Sequence, residues 1–344
     1  MTTPHNPAQP LPASDIPSHR DAPPASDELL LALEGGGTRS QAALLNWTGQ
    51  VLAVSPAADV NTNFTPYAQA QAAVRAAVRA ALAAANRPGE QVTHVARALV
   101  GPRFGAETLG DLCPRAVYHD YSECDVVFAR AGLNARRAHG VALVAATGAT
   151  AFARRADDGR EIALGGWGSL LGDEGSAYAL GLLALRGAAR AAEGRAGAPT
   201  ALVETLAAHF EIAPSQFKRG LIQVAYGSRE SEGEPARPPL TRAQIGGLAP
   251  LVTGLAASGD VLAGRLVDKV AGDLAALALH AARRLFTPPE TFVVAAAGGL
   301  VNAGERVLAP LRAGFAHEFP LASLRIGEAD PAVALGRQAL ADLA

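Results

Sequence analysis

The chain has 344 residues, of which 49% are hydrophobic and 18% charged, and its 30 Lys+Arg against 32 Asp+Glu leave a formal net charge of -2. That length accommodates two domains with ample core, and the near-neutral balance without a basic run excludes nucleic acid or an anionic membrane surface as the main partner. Two cysteines, Cys113 and Cys124, are too far apart for a CxxC site and have no companions, so no protein-held metal is assigned, and their scarcity suits a reducing cytosol.

From Met1 to Asp27 the chain is crowded with Pro, Ala, Ser and Asp and has no apolar run. Such a segment buries too little surface to offset its ordering entropy and reads as a disordered tail; it also lacks the basic start and apolar stretch of a secretory signal. Later apolar runs, such as Phe292 to Ala297, fall far short of the ~20 residues that span a bilayer. A cytoplasmic protein with no membrane contact is expected.

Leu29 to Leu33 is an apolar strand ending in Glu34-Gly35-Gly36-Gly37-Thr38, and Gln41 to Leu45 and Val51 to Val54 read as two more strands around the Thr48-Gly49 turn. The same order returns with Val141 to Ala145, the turn Thr147-Gly148-Ala149-Thr150, the strand Ala151 to Arg155, the hairpin at Asp157-Asp158-Gly159 and the strand Glu161 to Leu164. Each unit is followed by Ala-rich helical sequence, Pro66 to Asn86 and Gly175 to Ala192, so a duplicated α/β arrangement is expected. Between the units, His94 to Val100 and Ala116 to His119 read as strands, and Ser122 is placed to cap a helix running to Ala131.

Asp120 therefore lies at the carboxyl end of a strand, the edge where open α/β sheets bind ligands. Taken alone it reads as a helix cap or solvated loop acid before it reads as a catalytic one. The glycine turns allow a similar pair of readings. Three glycines before Thr38 and Arg39 let backbone N–H groups approach phosphate oxygens closely, whereas a lone glycine run is also an ordinary tight hairpin. Neither a Walker A pattern nor a GxGxxG opening a helix is present, which disfavours P-loop and dinucleotide folds. What makes phosphate the more specific reading is the pairing: Thr147-Gly148 stands in the second unit where the glycines stand in the first.

Glu34-Gly35-Gly36-Gly37-Thr38-Arg39-Ser40, Thr62-Asn63, Asp120, Gly165-Gly166-Trp167-Gly168 and Gly172-Asp173-Glu174-Gly175-Ser176 occur in the order and spacing found in N-acetylglucosamine kinases. From about Glu28 to its end the chain resembles these members of the BadF/BadG/BcrA/BcrD-type ATPase family, within the actin, sugar kinase and Hsp70 superfamily. The resemblance implies an α/β fold of two ribonuclease H-like domains around an ATP cleft, one formed by residues 28–118 plus 324–344 and the other by residues 119–323, with the last helix returning to the first domain. It implies a homodimeric kinase that uses ATP and Mg²⁺ to phosphorylate O6 of an amino sugar. By the same resemblance Gly36, Gly37, Thr38, Arg39, Thr147, Gly148, Gly298 and Gly299 meet the nucleotide, Asn63, Gly166, Trp167, Gly168 and Asp173 hold the sugar, and Asp120 is the catalytic base.

Phosphoryl transfer to a hydroxyl needs a carboxylate that takes the proton as the bond forms, and an aspartate is ionised for that task at neutral pH. Glu34 supports the phosphates or faces water. Trp167 stacks on a sugar or plugs the core, Glu174 supports its neighbours, and His119 packs at its strand end. The second turn departs from the family pattern, Ser-Gly-Thr-Gly-Ser, by reading Ala145-Ala146-Thr147-Gly148-Ala149, with two hydroxyls and one glycine lost; the Gly/Ser-rich sugar loop is altered around Gly101-Pro102-Arg103. Two other readings stay open: a non-catalytic sugar or nucleotide sensor with a decayed phosphate loop, and an activator ATPase of the BadF type, which would need a cysteine-held iron–sulfur cluster.

Overall fold

The computed structural model describes residues 27–36, 40–62, 65–101, 103–229 and 236–344. The expected tail up to Ser26, together with Gly37, Thr38, Arg39 and Asn63, lies outside the described residues. The strands are β1 (Leu29–Gly35), β2 (Ser40–Asn46), β3 (Val51–Ala57), β4 (Val92–Leu99), β5 (Val117–Asp120), β6 (Gly140–Ala145), β7 (Ala149–Arg154), β8 (Glu161–Gly165), β9 (Val293–Ala297) and β10 (Ser323–Gly327). The helices are α1 (Tyr67–Ala85), α2 (Ala106–Leu109), α3 (Glu123–Arg130), α4 (Ala177–Ala192), α5 (Leu202–His209), α6 (Phe217–Tyr226), α7 (Arg242–Gly246), α8 (Ala249–Ala257), α9 (Val261–Leu285), α10 (Glu305–Glu318) and α11 (Pro331–Leu343), with short 3₁₀ turns between them.

Two five-stranded sheets carry the repeat that the sequence announces. Their orders, β3-β2-β1-β4-β5 and β8-β7-β6-β9-β10, are the same topology twice. In each, the first three strands pair antiparallel through tight hairpins and the last two add in parallel after a helical crossover. Both central strands are buried on both faces, as a sheet flanked by helices on both sides requires. Leu29, Leu31 and Leu33 of β1 point into a core shared with α1, whereas Leu30 and Ala32 face Ala332, Leu335 and Ala339 of α11. Similarly, Val141 and Leu143 of β6 pack with α4 and α9, while Ala142 packs with Val127 and Phe128 of α3.

Local signals set several element ends. The Ser122 hydroxyl accepts from the Asp125 N–H and the Asp125 carboxylate accepts from the Ser122 N–H, a reciprocal cap that starts α3 immediately after β5. α1 begins after Pro66 and ends at Asn86 in the left-handed conformation. Against the expected domain spans, β5 continues the first sheet through Asp120 by pairing with β4, and β10 belongs to the second sheet by pairing with β9. The chain returns to the first sheet only with α11, whose residues cover β1, β2 and β4.

Candidate active site

Asp120 is the last residue of β5, and its parallel partner in β4 is Arg97. The register brings the two side chains together: Arg97 Nε donates to Asp120 Oδ1 at 2.6 Å and Arg97 Nη2 to Oδ2 at 3.4 Å. Arg97 is fixed independently by donating to the Phe104 carbonyl at 2.9 Å and by lying 5.1 Å over the Tyr118 ring. A second guanidinium, that of Arg103, donates to Asp120 Oδ2 at 2.9 Å from the rim. The Arg97 side chain is 13% exposed and that of Arg103 65%, so one partner is built in and the other is free to swing.

These groups wall a cavity of about 230 Å³ at the carboxyl ends of β1, β4 and β5, closed on its far side by Tyr121, Ser122 and Glu123. Glu34 and Gly35 line the same cavity, which places the start of the first glycine turn beside Asp120. Of the two readings for Glu34, the structure favours the enclosed one. Burial first, then the like charge of Glu123, against the Arg130 guanidinium and with a further push from Asp330, raises the Glu34 carboxyl to about 8. Burial raises Glu123 to about 6. His119 is stacked on His94 with ring nitrogens 2.9 Å apart, a strand-face pair outside this cavity's lining.

The second turn, between β6 and β7, gathers the other expected residues. Gly298 follows β9 with φ of +125°, and a Cβ there would lie 2.2 Å from the Ala145 carbonyl, so only glycine fits. The same carbonyl accepts from the Leu300 N–H at 3.0 Å, which fixes Gly298-Gly299 against the end of β6 next to Thr147 and Gly148. The Gly166 N–H donates to the Ala149 carbonyl at 3.0 Å, so the segment after β8 is fastened to the same turn. Trp167 on that segment is 73% exposed, which rules out the core-plug reading, and Leu170 and Leu171 beside it are also exposed.

Asp173, expected at the sugar, is held by partners within the protein. Its side chain is 2% exposed, and the carboxylate is committed within the protein: Oδ2 accepts from Arg242 Nη2 at 2.6 Å and Oδ1 from the Ala149 N–H at 3.2 Å. The alanines of this turn cost less backbone strain than the lost glycine suggests. Among the described residues only Asn86, Asp173 and Glu211 are non-glycine residues with positive φ, so Ala146 adopts ordinary backbone angles. Cys113 and Cys124 are each buried in a different core cluster, and burial pushes both thiols up, Cys113 to about 11. That environment opposes the thiolate a cluster ligand requires.

Two sheets of one topology with clustered glycine turns at their carboxyl edges define a two-domain fold of the actin-like ATPase and sugar kinase type. The chain belongs to the BadF/BadG/BcrA/BcrD ATPase family, whose profile matches residues 33–314. Over 163 residues it is 26% identical to the N-acetylmuramic acid/N-acetylglucosamine kinase of Clostridium acetobutylicum, covering 47% of this chain and 48% of that protein. The chain thus spans about half the length of the curated relative it matches. Among solved structures, a candidate N-acetylglucosamine kinase from Chromobacterium violaceum is 23% identical with a TM-score of 0.65, covering 93% of this chain and 100% of that one. A ROK-family glucokinase from Streptomyces griseus, in complex with glucose and AMPPNP, is 18% identical with a TM-score of 0.57, covering 92% and 99%. These structural likenesses establish the fold.

Proposed function

We propose that the protein is an ATP-dependent amino-sugar kinase that transfers the γ-phosphoryl group to O6 of an N-acetylglucosamine- or glucosamine-type sugar, with Asp120 as general base. The observation that carries this reading is the carboxylate of Asp120 in a cavity of about 230 Å³ that also contains the start of a glycine turn, in a member of an ATPase family. The name of the partly matching relative supports the substrate class.

In this reading the sugar hydroxyl donates to Asp120 while its oxygen attacks the γ-phosphorus. The new P–O bond forms as the bond to the bridging oxygen of ADP breaks, and the hydroxyl proton passes to the carboxylate. Arg97 anchors Oδ1, leaving Oδ2, shared with the more exposed Arg103, as the oxygen a hydroxyl can reach by displacing the rim guanidinium. Trp167, exposed beside the second turn, offers an aromatic face to the sugar ring, with Gly166 and Gly168 on either side. Thr147, Gly148, Gly298 and Gly299 meet the nucleotide from the second domain, and Gly36 from the first.

Mg²⁺ enters with ATP and neutralises its phosphates, as phosphoryl transfer requires. Alignment of two bound substrates is worth about 7–11 kcal/mol in such reactions, so closure of the halves contributes more than the base does. A decayed sensor is disfavoured because Ala146 stands where no positive φ is required, so the turn does not need the glycine it lacks for its backbone conformation. ADP release measured across a panel of hexoses, hexosamines and N-acyl hexosamines tests the reading: sugar-dependent release supports it, and sugar-independent or absent release refutes it.

A further inference from the structure

Arg242, a residue outside every motif above, reaches the second turn from α7. Thr241 and Gln244 form a reciprocal cap, which fixes the direction in which Arg242, the first helical residue, leaves the backbone. Its side chain is 19% exposed, and Nη2 lies 2.6 Å from Asp173 Oδ2. Asp173 adopts a φ of +63°, a conformation that Asp and Asn tolerate better than most residues. Through Oδ1 it also receives the Ala149 N–H, so one carboxylate joins the guanidinium to the turn's backbone.

The contact is tight. A Cβ on Gly148 would lie 2.6 Å from Arg242 Nη2 and 2.9 Å from Asp173 Oδ1, so the turn rests directly on the ion pair. The Ala177 N–H also donates to the Ala146 carbonyl at 2.9 Å and the Tyr178 N–H to the Thr147 carbonyl at 3.3 Å, both from the start of α4. From α7, a Cβ on Gly246 would lie 3.2 Å from Thr147 Cγ2. With alanines at 146 and 149, this turn has few side-chain donors of its own. Its value to an anion depends on where its backbone N–H groups and the Thr147 hydroxyl are held.

We propose that Arg242 acts through Asp173 as a positioning residue for the nucleotide: their ion pair sets the Thr147–Ala149 turn against the phosphates. The identity of the ligand rests on the kinase reading above; the mechanical coupling rests on the ion pair and the turn. Neutralising one partner leaves the other's charge buried without compensation, whereas neutralising both removes that cost.

The experiment compares Arg242→Gln, Arg242→Lys, Asp173→Asn and the double variant Arg242→Gln/Asp173→Asn with the wild-type full chain. Mg-ADP affinity is measured by calorimetry, sugar KM at saturating ATP by ADP release, and folding by thermal melting. Arg242→Gln is expected to raise the Mg-ADP Kd roughly 10–100-fold, the size of a coupling between contacting residues. Arg242→Lys falls between, since a compact ammonium keeps the charge but not the planar fork. The double variant binds more tightly than the two single losses multiply to, and the sugar KM of the Arg242 single variants stays close to wild type. A folded Arg242→Gln that binds Mg-ADP like wild type overturns the proposal, as does a raised sugar KM with unchanged Mg-ADP affinity. If Arg242→Gln fails to melt cooperatively, Asp173→Asn carries the same comparison, because Asn keeps the left-handed backbone and an acceptor for the Ala149 N–H. A wild-type chain that binds no Mg-ADP overturns the kinase reading itself, a result distinct from any difference among the variants.

Discussion

Each sheet places one aspartate against arginine at its carboxyl edge, and the two pairs differ in almost everything else. Asp120 is 36% exposed, opens into a cavity and shares its oxygens between a fixed and a movable guanidinium. Asp173 is sealed, with a single arginine and a backbone N–H as partners. An ion pair at a wet rim contributes little to stability and can be exchanged for a substrate, whereas a dry one cannot be opened without stranding a charge. The comparison teaches that solvent access, more than residue type, separates the carboxylate suited to chemistry from the one suited to holding a loop.

The strongest way to break this contrast is Asp120→Asn. Turnover is expected to fall about 10²–10⁴-fold with melting unchanged, and steady-state ADP release near the wild-type rate would remove Asp120 from the mechanism. Stability should show the reverse ranking. Truncating Asp173 to alanine breaks the buried pair and should cost about 3–5 kcal/mol in denaturant unfolding; a loss no larger than that of Asp120→Ala would erase the distinction between the two sites.

Glu34 sharpens the comparison through pH. The folded chain holds its proton up to about 8 where the unfolded chain releases it near 4.5. Between those values the folded state binds more protons, so raising pH favours unfolding and stability is lost progressively across that window. Glu34→Gln should flatten this slope, read as unfolding midpoints from pH 5 to 9. An unchanged slope would show that the cavity is wetter than its walls suggest. The smallest effect belongs to Arg103→Ala. An exposed rim pair contributes under about 1 kcal/mol, so the melting temperature should barely move while the sugar KM changes; a larger loss of stability would mean that Arg103 is built in as Arg97 is.

Much of the architecture was legible because its signals are local. Short apolar runs separated by glycine turns announce both strand–turn–strand units, Pro66 and Asn86 bracket α1, and Ser122 caps α3. The placement of Asp120 at a strand end followed from the same reading, and β5 includes it as the final residue. The segment from Leu202 to Leu285, with its five helices, is the least legible stretch, because α5, α6 and α8 start without a side-chain cap to mark a boundary. Partners that depend on tertiary contact were out of reach. Arg97 meets Asp120 only through a parallel register, and Arg242 meets Asp173 across 69 residues. For the same reason the sequence shows Asp173 as a carboxylate beside glycines and does not show the cation that neutralises it.

The return of α11 has a consequence for how the protein is made. Ala332, Leu335 and Ala339 cover Leu30, Ala32, Ala43 and Leu45, and Gln338 accepts from the Ala135 N–H at the crossing between halves. One face of the earliest strands to be synthesised therefore stays uncovered while the entire second sheet is translated. The apolar face of the first sheet is thus completed only by the segment that follows residue 330.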